Sequence, residues 1–198
     1  MELEKLLKTP RETQRLILRP WKHNKSDARE CYRYAKDHRV GPAAGWPVHK
    51  DPADSLRIIG EVLSTPGLWA MVLKETGKPV GTVGLTFGST GRKWLGTAEV
   101  ELGYWLGVPY WGQGLAREAS EEMLRLAFGE MGMDTVWAAY YEENQRSKYL
   151  QERLGFVYSH CEEETYVEAL HEKRREHFMK LTKERWKERI DQRLGGAG

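Results

Sequence analysis

The stretch Pro109-Tyr110-Trp111-Gly112-Gln113-Gly114-Leu115-Ala116-Arg117-Glu118-Ala119 follows an apolar run of β character and leads straight into a helical pattern. Two glycines one residue apart at a strand-to-helix junction let backbone approach a ligand closely or turn tightly. A helix start carries unpaired N–H groups and partial positive charge, so an anion is the first ligand such a turn suits. A dinucleotide fingerprint needs G-x-G-x-x-G, and here Arg117 stands at the third glycine position. A P-loop needs a lysine and a hydroxyl after its last glycine, where this chain has Leu115 and Ala116. What remains is a nest of N–H groups suited to a pyrophosphate held without metal, or a tight turn that binds nothing.

Periodicity places the flanking elements. Residues 14–21 read as a first strand, closed by Pro20. Residues 26–38 read as a helix with Ser26 at its N-cap, and 41–47 as a Gly/Pro loop. Asp51 caps a helix over 51–63, with Pro52 in its first position. Strands at 69–74 and 79–87 form a hairpin across Thr76-Gly77-Lys78. A strand at 98–106, a helix at 114–129 and a strand at 135–141 follow. A helix over 145–154 stops at Gly155. Strands at 156–160 and 177–181 lead to a helix over 183–193 capped by Thr182, and 195–198 reads as a frayed end. The order predicts one α+β domain, an α/β sandwich spanning 1–198. Its sheet is mixed but mostly antiparallel, with helices on both faces and a short parallel part at its centre.

Composition narrows the partners. A formal net charge of +2 with no basic stripe gives no support for nucleic-acid binding. Cys31 and Cys161 stand far apart without ligand spacing, and the six histidines show none either, so no metal is expected. Two free thiols suit a reducing, cytoplasmic setting. The start of the chain has acidic residues and no apolar core, so no signal peptide is read there. The apolar run 68–73 is far too short to span a membrane.

The glycine pair has company. Residues 12–21 (ETQRLILRPW), Gly103-Tyr104-Trp105-Leu106, residues 110–119, Asn144-x-x-Ser147, Leu154-Gly155-Phe156 and Leu181-Thr182-x-x-x-Trp186 occur in this order over nearly the whole chain. In this set the chain resembles the GNAT superfamily of acetyl-CoA-dependent N-acetyltransferases, and more narrowly its RimJ/RimL type, which includes enzymes acetylating the N-termini of ribosomal proteins. The resemblance implies that the glycine pair holds the pyrophosphate of coenzyme A. Trp111, Gly112, Gln113, Gly114, Leu115 and Ala116 would form that cradle, and Asn144 and Ser147 would flank the pantetheine arm. Pro109 stands where the superfamily often has Gln or Arg, as is common in this branch.

The resemblance also implies direct transfer, in keeping with a sequence that shows no Cys–His or Ser–His–Asp nucleophile. The strand at 98–107 should splay from that at 135–141 and offer pantetheine its backbone edge. N–H groups near Leu106 and Gly107 would polarise the acetyl oxygen. Gly103 and Gly107 suit a bulge or a ligand's close approach. Glu101 is the candidate base and Glu99, on the same face by period two, the weaker one; both are also readable as solvent-facing glutamates. Many superfamily members carry an acidic tyrosine where this chain has Gln151, so Ser147 is the candidate proton donor, with helix capping as its other reading, and Tyr149 a weaker candidate. Asn144 is also readable as a turn residue. Trp46, beside Pro47 and His49, would wall the acceptor pocket unless it simply packs. Glu162-Glu163-Glu164 would draw a cationic amine, or form a solvated hairpin. The expected acceptor is a small-molecule amine or a protein N-terminus; a homodimer is admitted by analogy. The competing reading is a silent acyl-CoA-binding sensor or scaffold.

Overall fold

The sheet has two interior edges. A computed structural model describes residues 2–195, and within them eight strands form one sheet in the order β1-β2-β3-β4-β5-β6-β8-β7. The strands are β1 (Arg11–Glu12), β2 (Leu16–Arg19), β3 (Leu68–Leu73), β4 (Pro79–Thr86), β5 (Glu99–Leu106), β6 (Thr135–Tyr141), β7 (Val157–Val167) and β8 (Glu172–Thr182). Every neighbouring pair is antiparallel except β5 and β6. A parallel pair needs a crossover, and α4 (Leu115–Arg125), continued by a wider turn over Leu126–Glu130, supplies it. The remaining helices are α1 (Glu2–Leu6), α2 (Lys25–Ala35), α3 (Pro52–Ile58), α5 (Gln145–Leu154) and α6 (Lys183–Gly195).

Two cores flank the sheet. On one face Val100, Leu102 and Leu106 of β5 pack with Leu115, Ala119 and Met123 of α4 and Leu154 of α5. On the other, Ala70 and Val72 pack with Ala28 and Cys31 of α2, Ile59 after α3, and Trp21. The alternation along β5 therefore sends even-numbered residues toward α4 and α5, and odd-numbered ones such as Trp105 toward α2 and α3. No helix among the described residues is long and apolar enough to cross a membrane.

Several element ends differ from expectation. Asn24, not Ser26, caps α2: its Oδ1 accepts from the Asp27 N–H at 2.9 Å, and the helix starts at Lys25. Both last strands are longer than their apolar runs, because the acidic run lies inside β7 and pairs with bases on β8. Glu163 meets Arg175 and Glu164 meets Lys173. The helix after Asp51 loosens at Ile59, and α1 carries no cap or glycine signal that marks it in the sequence. The expected frayed end falls largely on 196–198, outside the described residues.

Candidate active site

β5 and β6 pair only over Glu99↔Thr135, Val100↔Val136 and Glu101↔Trp137. Beyond Glu101, β5 stays with β4 as far as Leu106 and β6 stays with β8 as far as Tyr141, so the two part. The Gly107 N–H donates to the Val80 carbonyl at 2.8 Å. Antiparallel alternation then turns the backbone groups of Gly103 and Trp105 toward β4, and those of Leu102, Tyr104 and Leu106 toward the opening. A cavity of about 670 Å³ lies there, lined among others by Tyr104, Leu106, Trp111, Gly114, Asn144 and Ser147. That volume is in the range of roughly 300–1,000 Å³ usual for small-molecule sites.

The glycine loop forms one end of the cavity. Gly112 and Gly114 sit at φ +73° and +78°, where a side chain is strained, and a Cβ on Gly112 would meet nothing within 4 Å. Gly114 precedes α4 without any side-chain cap, so the first-turn N–H groups have no protein side chain on them. Leu115, Ala116 and Arg117 all line the cavity, Leu115 with its side chain largely buried in the core. The loop is braced from the other end of the chain. Arg15 Nη1 donates to the Gln113 carbonyl at 2.8 Å, and Gln113 Nε2 donates to the Pro109 carbonyl at 2.8 Å. Glu118 accepts from the Arg15 N–H and Nε, each at 2.7 Å, and from the Thr13 hydroxyl. Burial works against the Glu118 charge, but the Thr13 and Arg15 hydrogen bonds outweigh it and hold the carboxyl below its ordinary value.

Trp111 donates Nε1–H to the Leu106 carbonyl at 2.8 Å, and the Arg146 guanidinium lies 4.1 Å from its ring centroid. Asn144 caps α5, its Oδ1 accepting from the Ser147 N–H at 3.2 Å, while its Nδ2 donates to the Ala43 carbonyl at 2.9 Å. Its amide thus ties α5 to the turn at Pro42–Ala44. The buried Ser147 hydroxyl accepts from Gln151 Nε2 at 3.0 Å and lies 2.9 Å from the Tyr104 hydroxyl. Tyr104 is the residue that sequence reasoning missed. Burial pushes its phenol up to about 12, against the lowering effect of Ser147 and Gln151. Tyr149 is 58% exposed and accepts from Arg153 Nε, so it stands away from this group.

The opposite face holds the carboxylates. Glu101 meets Arg92 of the β4–β5 loop, whose Nε lies 3.0 and 3.1 Å from its two oxygens. Arg92 also pairs with Glu176 of β8. Burial lifts the Glu101 carboxyl above its ordinary value, Arg92 works against this, and Glu176 adds to it. Burial works against the Arg92 charge too, but the two carboxylates outweigh it and raise its pKa. Glu99 accepts from the Gly96 N–H at 2.9 Å and braces the turn before β5. Trp46 packs edge-on against Trp105, 5.7 Å between centroids, and does not line the cavity. Glu99 and Trp46 therefore sit toward opposite ends of β5: six residues from 99 to 105 span about 20 Å. Two glycine readings also change. The β4–β5 register runs unbroken from Gly81↔Leu106 to Thr86↔Glu101, so Gly103 and Gly107 mark no bulge. A Cβ on Gly107 would lie 2.6 Å from the Tyr34 ring, so this glycine serves close packing, and its N–H is committed to β4. A Cβ on Gly103 would meet nothing within 4 Å.

The profile of the acetyltransferase (GNAT) domain matches residues 15–157. The chain belongs to the GNAT acetyltransferase family. Solved structures of other acetyltransferases share its fold. A GNAT-family acetyltransferase from Bacillus anthracis superposes with a TM-score of 0.76 at 19% identity, covering 89% of this chain and 99% of that one. A GCN5-related N-acetyltransferase from Brucella melitensis gives 0.76 at 17%, covering 90% and 80%. The ribosomal-protein-S5-alanine acetyltransferase from Vibrio fischeri gives 0.67 at 18%, covering 90% and 98%. GNAT acetyltransferases use acetyl-CoA as cosubstrate, and the residues of this one fit it. The start of α4 is uncapped, the Gly112 side is open, and the edge of β5 beyond Glu101 has no strand partner.

Proposed function

We propose that this acetyltransferase acetylates a primary amine, a protein N-terminus or a small molecule, by direct transfer in the manner of the RimJ/RimL branch. One arrangement carries the reading: at the parting of β5 and β6, Glu101 lies on one face and the Ser147–Tyr104 pair on the other. When bound, acetyl-CoA supplies a thioester whose carbonyl carbon accepts nitrogen and whose sulfur departs. N–H groups from Gly112 to Ala116 hold its pyrophosphate. Asn144 and Trp111 shape the arm's channel, and the Leu106 N–H polarises the acetyl oxygen. Glu101 takes the amine proton. It lies three residues, about 10 Å, along β5 from Tyr104, so the proton travels through water. The Ser147 hydroxyl donates a hydrogen bond to the departing sulfur, which leaves as a thiolate and takes its proton from water. Tyr104, whose phenol burial pushes up to about 12, keeps its proton. It therefore serves as a hydrogen-bond donor that orients Ser147. Trp46 and Glu99 are proposed on the acceptor side, Glu99 at its outer margin. The two unbridged thiols, Cys31 and Cys161, suit action in the cytoplasm.

The test is an acceptor screen of amines and peptide N-termini with acetyl-CoA, read by mass spectrometry. Acetylated primary amines support the reading. Tight coenzyme A binding without turnover on any acceptor overturns it and leaves a sensor.

A further inference from the structure

Glu101, half-buried, and Glu176, buried, are two carboxylates in contact with one guanidinium. Their side chains are 17% and 3% exposed, and Arg92 reaches both, lying also 4.7 Å over the Phe178 ring. The carboxylates come from strands, whereas Arg92 comes from the loop after β4, anchored by Trp94, which packs edge-on against Trp137 and Phe178. A base must offer a lone pair and then become neutral. Arg92 Nε occupies both oxygens of Glu101, and a buried arginine deprived of its partner is costly. Glu176 resolves this conflict. It already takes both Nη atoms, so Arg92 keeps a counter-ion when Glu101 loses its charge.

We propose that Arg92 and Glu176 are positioning residues that switch Glu101. With Arg92 shared, Glu101 stays charged and occupied; with Arg92 drawn onto Glu176, Glu101 is open to take the acceptor's proton. This rests on the reading of Glu101 as the base. The charge count favours the transfer. Before it, two carboxylates and one guanidinium leave a net charge of −1; afterwards a neutral Glu101 stands beside a matched Arg92–Glu176 pair. The other charged or titratable groups on this face include Glu162 of β7, which stands opposite Glu176 and accepts from the Thr165 hydroxyl at 3.0 Å. Glu99 lies two residues away on β5 and is held to Gly96. Tyr141 of β6 has Arg174 over its ring at 5.2 Å, and Lys180 of β8 lies 5.9 Å from the Trp137 ring. His160 of β7 stacks on Phe178 at 4.6 Å.

The experiment follows the Glu101 carboxyl by NMR titration of carboxyl-labelled whole protein, assigned with Glu101→Gln. Arg92→Gln removes the cation and should raise the titration by roughly 1–3 pH units; Glu176→Gln removes the competing anion and should lower it by a similar amount. The acid limb of the kcat profile should follow each shift, with KM for acetyl-CoA unchanged. A merely structural brace would reduce stability in both variants and move neither titration, and that result overturns the proposal. If either variant fails to fold, Arg92→Lys keeps the charge but loses the fork, and should raise the Glu101 titration; an unmoved titration overturns the proposal. Wild-type turnover in Glu101→Gln would instead remove the base itself, whatever the titrations show.

Discussion

The two faces of the β5–β6 opening are built in opposite ways. On the α4/α5 face backbone, glycine and ring share the walls with cations and polar groups, and the helix start at Gly114 is left without a side-chain cap. Its charged lining is cationic, Arg39, Arg117, Arg146 and Arg153, while Arg15 and Glu118 brace the loop from behind. On the other face the charged side chains are already matched to one another, Arg92 to Glu101 and Glu176. A donor shared by a whole family can be held by groups that every sequence has. An acceptor must be met by side chains, and those need partners of their own while they wait.

The strongest test of this contrast is Glu101→Gln. It should lower kcat roughly 100-fold, at the lower end of what a general base contributes, and leave acetyl-CoA affinity intact by calorimetry. Parallel losses in both quantities would mean that the faces are not separate. Next, Gly112→Val should weaken acetyl-CoA binding about 10–100-fold, the equivalent of one or two charge-assisted hydrogen bonds. Unchanged affinity would remove the phosphate nest. Third, Ser147→Ala should slow turnover about tenfold and Tyr104→Phe about fivefold, each near the worth of one hydrogen bond. Because the hydroxyls act as a unit, the double variant should be less impaired than the product of the two; additive losses would make them independent.

The smallest effect concerns the brace. Glu118 is held below its ordinary value, so its contribution is complete above the unfolded value, about 4.3, and is lost as pH falls through the lower folded value. Glu118→Gln should therefore cost about 1.5–3 kcal/mol in urea unfolding at pH 7, with the gap to wild type closing as the pH drops below about 4. A gap that persists in acid would assign the loss to shape rather than charge.

Legibility in the sequence follows the same division. β6 and α5 fall on the residues that periodicity and Gly155 mark, and the parting of β5 from β6 is the one that the family resemblance implies. Local signals suffice where neighbours along the chain decide the outcome. Arg92 and Glu176, 84 residues apart, meet only because β8 lies beside β6 and the loop after β4 folds over both. Tyr104 finds Ser147 across 43 residues. Nothing periodic marks such pairings, since each follows from strand order and register. Asn144 and Gly107 show the converse. Their residue types were legible, but the partners that occupy them, Ala43 and Tyr34, belong to distant turns and helices.

The parting of β5 from β6 also bears on how the protein fails. Its outer strands are guarded against adding a foreign strand: β1 is two residues long, and β7 carries register breaks and three glutamates. Leu102–Leu106 and Ala138–Tyr141 carry no lysine, glutamate or proline, and the helices α4 and α5 pack against their strands. When those helices loosen, the sheet presents two sticky margins at its own centre. A tenant in that gap is therefore also a guard against aggregation.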